Sequence, residues 1–179
     1  MTAIKKHYIA IIFIVAAIAQ IAVPASLIAR YMDVLHNGIV YKVKTMPIDP
    51  VDPFRGRYVA ISMDLDVPDA LVKKFHELDN SSYYIKLDEG VDGFAKISQL
   101  SGTPIKGDGV IKLRGSRWRF SNSIRLPYNR YYMDENAAPK AEATASSRRG
   151  ETYAALKVKG GAAVIKGLYI NGLRIEDYK

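Results

Sequence analysis

Residues 46–63 read MPIDPVDPFRGRYVAISM. Asp49-Pro50 and Asp52-Pro53 hold the backbone out of the helical region, because each proline ring clashes with a helical residue before it. An aspartate in that place also caps its own turn through its side-chain oxygens. Gly56, between Arg55 and Arg57, permits a tight bend. Strict alternation follows. Val59, Ile61, Met63 and Leu65 face one way, and Tyr58, Ala60, Ser62 and Asp64 face the other. A stiff charged turn feeding a two-residue period predicts a strand over 57–66 and anchors a β fold.

Upstream, residues 8–29 (YIAIIFIVAAIAQIAVPASLIA) carry no charge. At ~1.5 Å per residue a helix of this run is about 33 Å long, enough for a hydrocarbon core of roughly 30 Å. Gln20 and Pro24 are tolerable in a membrane helix. A cleavable signal peptide has an apolar core of only about 7–15 residues, so an uncleaved signal anchor is the expectation. Lys5 and Lys6 precede the run, and a long domain follows it, which favours a cytoplasmic N-terminus. The expected layout is a tail at 1–7, a transmembrane anchor at 8–29, a stalk or helical continuation at 30–37 and an extracytoplasmic domain at 38–179.

Beyond the anchor the signals are mostly those of strands. Ile39, Tyr41 and Val43 alternate with Val40, Lys42 and Lys44. Pro68 opens PDALVKKFHELD, in which Leu71, Val72, Phe75 and Leu78 have helical spacing. Further strands are expected at 83–88, 93–100, 109–114 and 117–126. In the last, Asn122 interrupts the face formed by Trp118, Phe120, Ile124 and Leu126, which predicts a bulge or a buried polar contact. Residues 134–150 are small, polar and interrupted by Pro139, a loop or weak helix. Gly160-Gly161 joins two final strands as a hairpin, and Asn171-Gly172 marks another tight turn. About eight or nine short strands with one or two short helices imply a mainly β domain, an antiparallel barrel or sandwich.

Composition narrows the chemistry. The 179 residues are 49% hydrophobic and contain no cysteine, so disulfides, thiolate catalysis and cysteine-based zinc sites are excluded. The net charge is +8, which favours acidic partners such as anionic lipid headgroups. Arg125 and Arg130 interleave with Tyr128, Tyr131 and Tyr132, as in nucleic-acid and sugar sites. On a domain tethered outside the membrane, nucleic acid is not expected, and a tyrosine-rich edge at a protein interface fits better. Asp49 and Asp52, with Asp134, Glu135 and Glu142, carry enough oxygens to hold Ca²⁺ if brought together. The plainer reading makes the two aspartates turn caps and pairs the later acids with Arg55 or Arg57. Ser26 and Ser62 are the serines to weigh for a Ser/Lys hydrolase of signal-peptidase type, but no lysine stands in a matching strand. His7, His36 and His76 share no metal-ligand spacing, and no phosphate loop or nucleophile elbow is present. No cofactor is called for.

The anchor followed by Asp-Pro-Val-Asp-Pro-Phe-Arg-Gly-Arg-Tyr-Val resembles the GDYXXLXY proteins, membrane-anchored bacterial proteins to which no reaction is assigned. The family motif falls on Gly56, Arg57, Tyr58, Ile61 and Met63. Gly56 and Tyr58 match its letters, Arg57 replaces the acid, Ile61 the leucine and Met63 the second tyrosine. Arg130-Tyr131-Tyr132 followed by Glu135 and Glu142 is similar to the second signature, a tyrosine-rich strand leading to an acidic segment. Val164–Gly172 is similar to the closing strands. The resemblance implies a single-pass inner-membrane anchor, a periplasmic domain and an accessory role beside a polytopic membrane protein. It implies no metal, cofactor or catalytic residue.

The sequence thus predicts a non-enzymatic, membrane-tethered β domain that binds a membrane or envelope partner. Its expected functional surface combines Asp49, Asp52, Arg55, Gly56, Arg57 and Tyr58 with Tyr131, Tyr132, Glu135 and Glu142. A membrane-bound serine hydrolase and a small-ligand or Ca²⁺ module are the alternatives.

Overall fold

The uncharged run forms the middle of one long helix. In the computed structural model, which describes residues 3–47, 58–78, 82–114, 122–132 and 151–177, α1 spans Ala3–Asn37. At ~1.5 Å per residue its 35 residues extend about 52 Å. Its segment His7–Asn37 is long and apolar enough to cross a membrane. Large side chains along it stand open, Phe13 at 73% exposure, so this helix is not buried in the domain's core. Pro24 is accommodated inside the helix. The expected stalk at 30–37 is a continuation of α1. Gly38 ends it, its N–H donating to Val34 O at 2.9 Å. A Cβ at 38 would collide with Val34 O and approach Val158 N to 3.1 Å, so close backbone packing dictates glycine here.

The chain then builds β1 (Ile39–Lys44), β2 (Met46–Pro47), β3 (Tyr58–Ser62) and β4 (Asp64–Asp66), followed by α2 (Asp69–Glu77). Next come β5 (Tyr83–Glu89), β6 (Ala95–Ser101), β7 (Val110–Leu113), β8 (Ser123–Arg125) and β9 (Arg130–Tyr132). The last elements are β10 (Thr152–Lys159), β11 (Ala162–Ile170), β12 (Leu173–Arg174) and a 3-10 turn at Ile175–Asp177. The sheets are antiparallel, in the orders β1-β10-β11-β12, β6-β5-β7, β2-β3-β9 and β4-β8. A parallel bridge between Ile111 and Gly161, with Lys112 N–H donating to Gly161 O at 2.9 Å, ties the two larger sheets. Among the described residues no sheet closes into a barrel, which corrects that half of the expectation.

The strand expected at 57–66 is split at Met63, because its halves take different partners. β3 pairs with β9 and β4 with β8, and Pro127, between those partners, has no N–H for a ladder. Leu126 N–H to Met63 O (2.9 Å) and Ile61 N–H to Asn129 O (3.1 Å) carry the pairing across the break. The alternation holds, with Ile61, Met63 and Leu65 all in the core. They pack with Val43, Ile85, Leu87, Ile111 and Leu156, and Phe75 of α2 closes one side with its ring edge on Tyr83 at 6.4 Å. Both predicted hairpin turns adopt left-handed backbone. Gly160 and Gly161 have φ of 57° and 79°, and Asn171 and Gly172 have 50° and 84°, as a turn matching strand twist requires. Asn122 corrects a smaller expectation. It is an exposed bend before β8 whose carbonyl accepts from Val67 N–H at 2.8 Å, so no buried polar contact forms. The segment expected to be a loop or weak helix at 134–150 and the first half of the strand expected at 117–126 lie outside the described residues.

Candidate functional site

The predicted surface is only partly described. Asp49, Asp52, Arg55, Gly56, Arg57, Glu135 and Glu142 lie outside the described residues. Of the remainder, Tyr58 begins β3, and Tyr131 and Tyr132 end β9. The two strands pair, with Tyr58 opposite Tyr132 and Val59 opposite Tyr131. The tertiary fold therefore makes neighbours of two segments about seventy residues apart in sequence, β3 and the tyrosine strand β9.

Tyr131 and Tyr132 point to opposite faces, as alternation demands. Tyr132 is 65% exposed, whereas Tyr131 is buried. The Tyr131 hydroxyl donates to Glu176 Oε1. Arg174 Nη2 reaches the same oxygen at 3.3 Å and the tyrosine oxygen at 3.5 Å. Glu176 Oε2 is buried with no hydrogen-bond partner among the described residues. Burial, and then the bond to Glu176, push the Tyr131 phenol up to about 12. The bond that Arg174 donates to the Tyr131 oxygen, ahead of the charge on Glu176, raises the Arg174 guanidinium above its ordinary value. The cluster locks the C-terminal 3-10 turn to β9. Sequence reasoning does not single out Arg174 or Glu176. Their signal is slight, an opposite-charge pair two residues apart after Asn171-Gly172.

In front of this cluster lies a groove of about 480 Å³. Its walls are Tyr31 of α1, the segment Pro127–Tyr132, and Ala163–Ile165 of β11. Burial raises the Tyr128 phenol above its usual range, and a backbone hydrogen bond at Ala163 partly offsets this. Tyr31 belongs to both the groove and α1, so the groove continues the helix's open apolar side where it enters the domain. Concave aromatic and aliphatic surface with few polar groups is suited to binding an apolar segment of a partner.

A second hollow of about 370 Å³ lies between Lys44, Asp64, Asp66, Pro68, Asp92, Phe94 and Lys96. Three of its charges answer one another. Lys44 and Lys96 lie 3.4 Å and 3.9 Å from the Asp92 carboxylate, and Lys44 Nζ sits 4.5 Å over the Phe94 ring.

The alternatives can be placed as well. Ser62 is buried and donates to Asp64 Oδ2 at 3.0 Å, while Arg125 Nε holds the other carboxylate oxygen at 2.9 Å. A carboxylate already engaged by arginine is a poor base, and this pairing differs from a Ser/Lys dyad. Ser26 Oγ donates to Val23 O within α1 at 2.7 Å. Among the described residues no cluster of three or more His, Asp or Glu could hold a metal ion. The acids weighed for Ca²⁺ lie outside those residues.

A family model described as "GDYXXLXY protein" matches residues 20–168, most of the chain. No curated protein and no solved structure matches.

Proposed function

The chain belongs to the GDYXXLXY protein family, and from this premise we propose that it is a single-pass membrane protein whose extracytoplasmic β domain serves as a non-enzymatic accessory to a polytopic membrane partner. α1 anchors it, with Lys5 and Lys6 on the cytoplasmic side and the β domain in the periplasm. The groove between Tyr31, Pro127–Tyr132 and Ala163–Ile165 receives the partner. The observation that carries this reading is the position of the groove, open at the junction of α1 and the domain. A protein seated there lies beside α1 at the membrane surface, where a polytopic protein presents its own helix ends.

The test is co-purification of the tagged full chain from native membranes in mild detergent. Val164 lines the groove and is half-buried. Val164→Arg should lose the co-purifying membrane protein while retaining the wild-type melting temperature. The same partner recovered at wild-type yield, with the variant folded, would sink the assignment of this groove.

A further inference from the structure

The contacts between α1 and β10 fix which end of the β domain faces the bilayer. Arg30 Nη2 donates to Gly160 O at 3.3 Å, Lys159 Nζ meets Asp33 Oδ1 at 2.8 Å, and Lys157 Nζ donates to His36 O at 2.8 Å. Residues 30, 33 and 36 climb about 9 Å along a helix, and 160 back to 157 spans about 10 Å of strand. The steps match, so β10 runs alongside α1 in the opposite direction. Val34, buried here, and Gly38, where a Cβ would come within 3.1 Å of Val158 N, close the contact.

Arg30 is the first charge after the uncharged run 8–29, which places it at headgroup level. The Gly160-Gly161 tip is bonded to it and therefore sits at the same level. β7 arrives there too, through the Lys112 N–H bond to Gly161 O. The Lys112 side chain is exposed, begins 3.8 Å from where a Gly161 Cβ would stand, and carries its Nζ 5.6 Å from the centre of the Tyr84 ring. Arg30, Lys112, Lys157 and Lys159 thus gather at this end, with Asp33 as the acid among them, while Lys44 at the far end of β1 stands about 20 Å farther off along the strands.

We propose that the β10–β11 hairpin tip and the adjoining Lys112 of β7 form a cationic shelf that rests on anionic phospholipid headgroups beside α1. The shelf rests on the reading of α1 as a membrane anchor but not on the partner or the groove. Charge complementarity selects the lipid. Lysines and arginines held at the surface attract anionic headgroups, and the glycines at the tip put no side chain between the backbone and the bilayer. Lodging there holds the domain upright and keeps the Tyr31 groove at a constant height.

The test uses the full chain in lipid nanodiscs. The chain lacks cysteine, so single labels go at Ala162→Cys near the tip and at Val91→Cys, fully exposed in the β5–β6 turn. Quenching by nitroxide-headgroup lipid reports proximity to the surface. The label at 162 should be quenched more than that at 91. Replacing phosphatidylcholine with about one-third phosphatidylglycerol should raise quenching at 162 by roughly twofold, and ~0.5 M salt should remove the gain. Lys112→Glu, whose side chain takes no part in the α1–β10 contacts above, should abolish the gain without altering quenching in phosphatidylcholine. Quenching at 162 that ignores lipid charge and Lys112→Glu overturns the shelf and leaves the anchor standing. A chain that does not incorporate into the discs overturns the anchor and the shelf together.

Discussion

Replacing Tyr131 by Phe removes one hydroxyl and keeps a buried ring. That hydroxyl donates to Glu176 Oε1, leaving Arg174 at 3.3 Å as the other donor to this oxygen in the cluster. A hydrogen bond to a charged group contributes about 1.5–3 kcal/mol net. The Glu176 side chain is 28% exposed, so water can replace part of the loss. The expected cost of Tyr131→Phe is therefore about 1.5–2 kcal/mol, the lower part of that range. The phenol adds a pH signature. Its folded value of about 12 lies above the ordinary 10.0, so the folded state keeps a proton that the unfolded chain loses first. The contribution is complete below pH 10 and is lost as pH rises through 12. The assay is urea denaturation of the full chain in detergent, followed by near-ultraviolet circular dichroism at neutral pH and across the alkaline range. Tyr131→Phe should lower the midpoint with an unchanged slope and flatten the alkaline fall in stability. In a double-mutant cycle with Glu176→Gln the two losses should be less than additive, with coupling of about 1 kcal/mol. Full additivity, or an alkaline limb identical to wild type, would refute the idea that this hydroxyl fastens the C-terminal turn to β9.

Three other outcomes follow. Gly109 has φ of +72°, and a Cβ there would run into Tyr41 Oη and come within 2.6 Å of Leu87 O; Gly109→Ala should destabilise by about 3 kcal/mol or more, seen as lost expression or a markedly lower melting temperature. Each charge at the centre of a spanning helix costs about 2.5–3.5 kcal/mol, so Ile14→Lys with Ile18→Lys should move the protein into the alkaline-carbonate supernatant, whereas persistence in the pellet would argue against α1 as the anchor. A fluorophosphonate probe should leave Ser62 unlabelled, because its hydroxyl is committed to an arginine-bound carboxylate; labelling lost on Ser62→Ala would restore the hydrolase reading.

Local patterns were legible without the fold wherever one short-range rule dominated. The uncharged run, the helix at Asp69–Glu77, the alternation through Ile61, Met63 and Leu65, and the turns at Gly160-Gly161 and Asn171-Gly172 each depend on neighbouring residues. Backbone sterics and side-chain period act over a few positions, so those positions suffice. The residues between Leu126 and Asn129 show where this ends. Nothing local says that Pro127 will interrupt the partner of an unbroken alternating strand and divide it at Met63. Arg174 and Glu176 likewise carry only a slight local signal, and they matter because β9 brings Tyr131 to them from more than forty residues away.

The sequence alone determined the long apolar helix, the β class and the turns, because hydrophobic length, two-residue period and glycine conformation are properties of contiguous chain. Tertiary structure decided which strands pair, that the described sheets remain open, and that a tyrosine groove and a basic hairpin tip meet at the base of α1. Those arrangements arise from contacts between residues distant in the chain, whose pairing depends on the packing of the whole core.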